Sequence, residues 1–373
     1  MMKKIGITGQ NGFVGSHLYN TLGLYPDKFE RINFEREFFD NQEKLDEFVA
    51  QCDVIIHLAA MNRHPDPEVI YNNNIDLVKK LIGSLEKTNS KSHILFSSSS
   101  QEEKDNLYGK SKKEGRELLA NWAETSGGKF TGMVIPNVFG PFGKPNYNSF
   151  IATFCYKLTH GQTPGIDNDG EVKLIYVGEL VQEIISQIES EESNILYEVS
   201  STSVNKVSEV LLKLENYKNL YFDNGEIPVL ASRFDLNLFN TFRCYFDIKN
   251  HYPVKFPQHI DPRGAFVEII RLGIGGQCSF STTVPGITRG NHFHTRKIER
   301  FSVIKGKALI QLRKIDTGEV FDYYLDGNEP AYVDMPIWYT HNIKNIGEEE
   351  LYTIFWINEP FNSEDADTYF LDV

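Results

Sequence analysis

The first two thirds of the chain alternate short apolar runs with longer segments whose apolar positions recur at helical spacing. Apolar runs at 5–8, 31–34, 53–58, 93–97 and 129–135 predict strands, and 13–22, 42–51, 69–85 and 108–124 predict helices between them. In 42–51 the stripe is Leu45, Phe48 and Val49. Strands alternating with helices imply βαβ units and a doubly wound α/β parallel sheet. From 252 onward the pattern becomes short alternating strands divided by Gly and Pro: PRGAFVEIIRL, ERFSVIKGKALIQLRK, GEVFDYYLDG and ELYTIFWIN. No amphipathic helix stands out among them, which predicts an all-β sandwich or barrel. The change falls within 241–252 without a Gly/Ser-rich linker, giving expected domains at 1–245 and 246–373. The last dozen residues are acidic and read either as a mobile tail or as an edge strand.

Composition narrows the picture. A chain of 373 residues exceeds the roughly 100–200 of one domain, so two domains are expected. Hydrophobic residues at 40% supply material for packed cores and exclude wholesale disorder. With 38 basic against 51 acidic residues the net charge is −13, a poor basis for holding nucleic acid, which rests on Lys and Arg. No run approaches the ~18 uncharged apolar residues of a membrane helix, and the start does not read as a signal peptide. The four cysteines, Cys52, Cys155, Cys244 and Cys278, form no C-x-x-C pair and suit a reducing compartment. The expectation is a cytoplasmic protein with neither nucleic-acid nor membrane partners.

Gly9-Gln-Asn-Gly12-Phe-Val-Gly15 follows a predicted strand and opens a predicted helix. Glycines so spaced allow a tight turn and close approach of backbone to a pyrophosphate, which then faces the N–H groups and dipole of the helix start. Tyr108 and Lys112, four apart on a helix, share one face. The Lys112 ammonium is expected to lower the Tyr108 phenol, fitting it for acid–base work near neutral pH. Phe96-Ser97-Ser98-Ser99-Ser100 ends a strand, where a hydroxyl for a substrate carbonyl belongs.

TGxxGxxG from Thr8, DVIIHLAA at 53–60 and Tyr108-x-x-x-Lys112 together resemble the extended short-chain dehydrogenase/reductase family, over roughly 1–245. The resemblance implies a Rossmann-type domain with Ser99, Tyr108 and Lys112 as the catalytic set, Ser98 being the alternative serine. It implies cofactor contacts at Gly9, Asn11, Gly12, Phe13, Val14, Gly15, Leu58, Ala59, Tyr108 and Lys112. IPNVFGP at 135–141 resembles the family's cofactor- and substrate-lining stretch, which makes Asn137 a substrate candidate. LIYVGELV at 174–181 resembles the branch acting on nucleotide-linked hexoses. The second strand ends RINFERE, with Asn33 where an acid would favour NAD, while Arg36 can pair with a 2′-phosphate; NADPH is expected, against the presence of Glu35.

The second constellation lies after 285. Gly286-ITRGN-His292-Phe-His294-TRKI-Glu299-RFSVIK-Gly306 is followed by Pro336-Ile-Trp-Tyr-Thr-His341. His at i and i+2 on a strand face the same way, and three imidazoles with a carboxylate suit a divalent transition metal. This resembles the two metal motifs of the cupin family over roughly 252–360, implying a jelly-roll barrel with His292, His294, Glu299 and His341 as ligands. Zn²⁺ is the first expectation, while Fe²⁺, Mn²⁺ and Ni²⁺ fit the same donors. Trp338 stands where the second motif usually has Gly. DPRGAFVE at 261–268 with TRGNHFH resembles the cupin-fold nucleotide-sugar epimerases, whose His acts as a base without metal. In that comparison His292 takes the base's place, and Arg263 and Arg289 match positions that hold the nucleotide diphosphate. Tyr339, Tyr324, Lys297 and a metal-activated water are the candidate bases.

A reductase and an epimerase for keto-sugars share a substrate, because the ketone makes the neighbouring C–H acidic and then accepts hydride. The pairing resembles the bacterial capsular-polysaccharide family that joins an extended reductase to a C-terminal cupin. It implies a homodimer acting on a UDP-linked 2-acetamido-2,6-dideoxy-4-ketohexose. C3 epimerisation in the cupin would precede NADPH-dependent C4 reduction to the 6-deoxy-L-talose sugar of the N-acetyl-L-fucosamine route. The competing readings are a single-step reductase with a structural or regulatory sugar-binding cupin, and a non-catalytic NADPH sensor.

Overall fold

The structure, a computed structural model, describes residues 2–373 except 191, 262–263, 267–268, 271–274 and 360–361, and side chains outside 259–268. It divides into two compact units, Met1–Thr153 with Ile166–Glu209, and Phe154–Gly165 with Val210–Val373.

The first unit contains β1 (Lys3–Thr8), α1 (Phe13–Gly23), β2 (Phe29–Ile32), α2 (Gln42–Gln51), β3 (Val54–His57), α3 (Pro67–Lys87), β4 (His93–Ser99), α4 (Leu107–Ser126) and β5 (Lys129–Ile135). There follow β6 (Asn137–Phe139), α5 (Phe150–Thr159), which runs into the second unit, β7 (Glu171–Tyr176), α6 (Val177–Glu189), β8 (Asn194–Glu198) and β9 (Ser203–Lys206). Six strands form a parallel sheet in the order β2-β1-β3-β4-β5-β8. Alternation along the strands divides the core between the two faces. Val54 and Ile56 pack with Ile5, Ile7, Leu18 and Ile184. Ile55 packs with Phe48, Leu81, Phe96 and Leu119 on the other side. This is the expected Rossmann-type architecture. The chain reverses direction across the sheet between β1 and β3, so their C-terminal ends frame the crevice where such sheets bind ligands.

The second unit opens with α7 (Val207–Tyr217), a π-helical turn (Lys218–Asp223), α8 (Arg233–Arg243) and α9 (Ile248–His251). Its strands are β10 (Val254–Lys255), β11 (His259–Asp261), β12 (Gly264–Phe266), β13 (Gln277–Thr283), β14 (Thr288–Phe293), β15 (Glu299–Lys305) and β16 (Lys307–Lys314). They continue with β17 (Val320–Asp326), β18 (Ala331–Met335), β19 (Tyr339–Asn345), β20 (Leu351–Ile357) and β21 (Tyr369–Phe370). Two antiparallel five-stranded sheets, β10-β18-β15-β20-β13 and β17-β16-β19-β14-β21, make a cupin-like β domain, as expected. Of the two readings of the acidic end, the edge strand is the one formed: β21 pairs with β14, Phe370 opposite His292.

Packing places the helices from Val210 onward with the β unit, earlier in the chain than the 241–252 stretch where the strand pattern begins. A buried ion network shows why. Arg300 on β15 donates through Nε and Nη2 to Asp334 on β18, at 2.8 and 3.0 Å, and both are almost fully buried. Tyr221 donates its hydroxyl to the same carboxylate, and Arg243 on α8 reaches the Met335 carbonyl and the Tyr221 oxygen. A buried carboxylate needs this many partners, since losing one leaves a charge out of water.

Candidate functional sites

Two clusters of chemically competent side chains form, one in each unit. In the first, the glycine turn joins β1 to α1. Gly9 adopts φ +79°, and a Cβ there would meet the Ala59 nitrogen at 2.9 Å. A Cβ on Gly15 would meet the Gly9 oxygen at 2.2 Å, so only glycine lets α1 start this close to the turn. No side chain caps α1, leaving backbone N–H groups at its start for an anion. Gln10 ties the turn to the end of β2, donating to Asn33 Oδ1 and accepting from the Phe34 nitrogen. Arg36, exposed in the 3₁₀ turn Arg36–Asp40, makes no hydrogen bond or ion pair among the described residues. Leu58 and Ala59 follow β3 beside the turn.

Ser99, Tyr108 and Lys112 come together across the β4–α4 connection. Asn106 caps α4 by accepting from the Gly109 nitrogen at 2.8 Å. Gly109 lies so close to the preceding 3₁₀ turn (Ser100–Glu103) that a Cβ would stand 2.0 Å from the Gln101 oxygen. That contact brings the start of α4 to the end of β4. The Ser99 hydroxyl is near enough to the Tyr108 phenol to lower it. Ser98 instead gives its hydroxyl to Glu102, which also pairs with Arg116. Lys112 is buried and donates to the Ser97 carbonyl at 2.9 Å.

The electrostatics differ from the sequence-based expectation at one point. Burial, with Tyr147 adding to it, pushes the Tyr108 phenol up to about 12, and only the Ser99 hydroxyl pulls the other way. Lys112 does not depress it, because its ammonium is turned to the Ser97 carbonyl. Lys112 is itself lowered to about 8 by burial, with Glu102 opposing. Tyr108 is thus a proton donor over the whole neutral range. Within the quoted motifs, Thr8 Oγ1 lies 2.7 Å from His57 Nδ1. Tyr147, which no motif marked, lies near Tyr108 on a loop whose carbonyl accepts from Arg63 at 3.0 Å. Asn137, a substrate candidate, is exposed with its amide on the Lys173 carbonyl at 3.3 Å.

In the second unit His292, His294, Glu299 and His341 each offer one donor atom, all within 4.8 Å of one another. The set spans both sheets: Glu299 begins β15, while His292 and His341 are cross-strand partners on β14 and β19. Glu299 Oε2 lies 2.9 Å from His294 Nε2 and 3.3 Å from His341 Nε2. Burial would raise the Glu299 carboxyl, but His294 and His341 hold it far below the usual carboxylate range. Burial and the two neighbouring imidazoles push His292 down to about 4, keeping its ring neutral. The donors fit a divalent cation: His341 Nε2 is buried without a hydrogen bond among the described residues, and the Nδ1 atoms of His294 and His341 face backbone carbonyls.

Trp338, standing where Gly is usual, takes φ +62°, so the turn keeps the left-handed geometry with a bulky residue in it. The Trp338 nitrogen donates to the His294 carbonyl at 2.8 Å, and its ring stacks on Phe293. Burying an indole offsets the strain. Arg289 is exposed on β14, its guanidinium bound to Thr282 O and Thr283 Oγ1. Arg263 lies outside the described residues. Among the candidate bases, Tyr339 shares a face with His341, and Lys297 donates to the Ala366 carbonyl at 2.5 Å. Tyr324 lies opposite Leu309 on the outer face, 67% exposed, and is removed from the cluster.

Residues 5–199 match the family described as NAD dependent epimerase/dehydratase. Residues 259–369 match the one described as polysaccharide biosynthesis C-terminal domain. A Pseudomonas aeruginosa protein named UDP-2-acetamido-2,6-beta-L-arabino-hexul-4-ose reductase is 33% identical over 372 residues, 98% of each chain. Among solved structures, the capsular polysaccharide assembling protein CapF from Staphylococcus aureus is 35% identical, with a TM-score of 0.60, covering 99% of this chain and 100% of that one. RMD from Pseudomonas aeruginosa, complexed with NADPH, is 20% identical over 58% of this chain and 83% of its own, with a TM-score of 0.53, a likeness of fold alone. The chain belongs to the NAD dependent epimerase/dehydratase family, in the CapF-like group whose Rossmann-type domain is followed by a polysaccharide-biosynthesis domain.

Proposed function

We propose that the chain is a bifunctional nucleotide-sugar enzyme of polysaccharide biosynthesis, with the reductase in its Rossmann-type unit and the epimerase in its cupin-like β domain. The observation that carries this reading is that one polypeptide holds both a Ser99–Tyr108–Lys112 set and a buried cluster of three imidazoles and a carboxylate. The 33% identical relative, a reductase of a UDP-linked 4-ketohexose by its name, supports the substrate class.

The substrate is a UDP-2-acetamido-2,6-dideoxy-4-ketohexose. The cupin inverts C3, and the Rossmann-type domain then reduces C4 to give UDP-2-acetamido-2,6-dideoxy-L-talose. The order follows from the chemistry, because reduction removes the ketone that makes the C3 proton acidic. Bound NADPH supplies the hydride. Gly9, Gly12 and Gly15 give its pyrophosphate room at the start of α1, and Arg36 meets the 2′-phosphate. Tyr108 delivers its proton to the C4 oxygen as charge develops there, while Ser99 hydrogen-bonds that oxygen. Lys112, buried behind, places a positive charge beside the reacting end of the site. In the cupin, a divalent cation, Zn²⁺ by first expectation, would be held by His292, His294, Glu299 and His341 and would supply Lewis acidity toward the keto oxygen. Arg289 lies on the same face of β14 as His292 and serves the diphosphate.

The test is incubation with the UDP-4-keto-6-deoxy sugar in D₂O, with and without NADPH. Deuterium at C3 without NADPH, and NADPH oxidation once both are present, is the expected result. Oxidation of NADPH with no exchange at C3 would leave a single-step reductase with a sugar-binding cupin.

A further inference from the structure

His294 is held from behind by the end of the chain. Its Nδ1 lies 2.5 Å from the Asp367 carbonyl oxygen, while its Nε2 points at Glu299. An imidazole whose Nδ1–H donates to a carbonyl is fixed in the tautomer and orientation that turn Nε2 toward a metal.

The Asp367 side chain does more. Its Oδ1 accepts from the Thr295 nitrogen at 3.0 Å and the Thr295 hydroxyl at 2.6 Å. Its Oδ2 accepts from the Arg296 and Lys297 nitrogens, both at 3.0 Å. These donors belong to the four-residue connection between His294 and Glu299, so one buried carboxylate organises the loop joining two members of the cluster. Three successive N–H groups converging on an anion form a backbone nest. Asp367 itself sits at φ +42°, a conformation Asp and Asn tolerate better than other side chains. The segment around it is anchored independently: Arg296 pairs with Asp365, and the Leu371 nitrogen donates to the Asn291 carbonyl.

We propose that Asp367 is a positioning residue of the cupin cluster, acting through His294 and the His294–Glu299 loop and touching neither substrate nor cation. The inference rests on the metal reading of the cluster. It makes the acidic end of the chain part of the site, which no motif in the sequence suggested.

The test uses the full chain and its Asp367→Asn and Thr295→Val variants. Asn keeps the backbone geometry but presents an amide N–H₂ to part of the nest; Val removes one hydroxyl donor and leaves the three N–H bonds. Zn²⁺ affinity is measured by competition with a chromogenic chelator, alongside NADPH affinity and the thermal midpoint of metal-free protein. Asp367→Asn is expected to weaken Zn²⁺ binding about 10–100-fold, in the range of other outer-shell partners. NADPH affinity should stay as in the parent, and Thr295→Val should weaken Zn²⁺ only a few-fold. Unchanged Zn²⁺ affinity in Asp367→Asn, with only a lower metal-free midpoint, would make Asp367 a structural cap and overturn the proposal. Failure of the parent chain to take up Zn²⁺ near one per chain would instead overturn the metal reading, and this inference with it.

Discussion

Arg289 and His292 share one face of β14 although they are three positions apart. Arg289 lies opposite Ile343, and His292 lies opposite His341, two residues away on β19. A regular strand would send positions three apart to opposite faces. The register shifts between Gly290 and His292, where Gly290 takes φ +98° and Asn291 φ +58°. This bulge lets one strand present a guanidinium and an imidazole together. Asn291→Val places a β-branched residue in the left-handed region, at a cost of roughly 1–3 kcal/mol. The expected outcome is a lower unfolding midpoint with loss of Zn²⁺ uptake and C3 exchange, while NADPH oxidation on an already epimerised ketone persists.

Tyr108→Phe removes the proton donor and keeps the ring. Reduction should fall by about 10²–10⁴-fold, the usual worth of general acid catalysis. C3 deuterium exchange should match the parent, and His292→Ala should show the converse. Steady-state NADPH oxidation and NMR of the exchanged sugar read the two separately; joint loss in either variant points to one shared active site.

Lys112 sets a pH limb. Its folded pKa, lowered to about 8 from 10.5, means the folded protein releases this proton before the unfolded chain does. The burial cost therefore weighs fully below pH 8 and is relieved between about 8 and 10.5, so this group raises stability with pH across that window. Activity runs the other way, because the ammonium is lost. The ratio kcat/KM for NADPH should fall above about pH 8. Glu102→Gln, which removes the charge that holds Lys112 up, should move that limb to lower pH.

Arg36→Ala tests the nucleotide. The KM for NADPH should rise at least tenfold while that for NADH changes less than twofold, since only NADPH carries the 2′-phosphate. Equal changes would reject the assignment.

Trp338→Gly sets two effects against each other. Glycine relieves the φ +62° strain, about 1–2 kcal/mol. Loss of the buried indole and its stacking on Phe293 costs about 3–5 kcal/mol on the scale of core Trp truncations. The packing loss is larger, so denaturant unfolding should show a net destabilisation of about 1–4 kcal/mol.

The Rossmann-type half was legible because its signals are local. The helical spacing in 42–51 and the Tyr108–Lys112 interval each lie within one element, and α2 and α4 form there. The second strand lies at Phe29–Ile32 rather than 31–34, because its pairing with β1 runs from Phe29 opposite Lys3 to Ile32 opposite Gly6. The gathering of His292, His294, Glu299 and His341 was legible from ligand type and spacing, while spacing alone left Ser98 beside Ser99, and it is Ser99 that acts on the Tyr108 phenol. What escaped depends on distance along the chain or on burial. Asp367 reaches its loop across some seventy positions. Tyr108 is raised by desolvation, which no interval between residues reports.

The ion network around Asp334 sets a practical limit on dissecting this protein. A fragment beginning at 246 would retain Arg300 and Asp334 yet lose Tyr221 and Arg243, stranding part of a carboxylate that has no access to solvent. A barrel intended for independent study has to start no later than Val210, carrying its helical preface with it. Instability of a shorter piece would reflect where it was cut, and would say nothing about whether the β unit can fold alone.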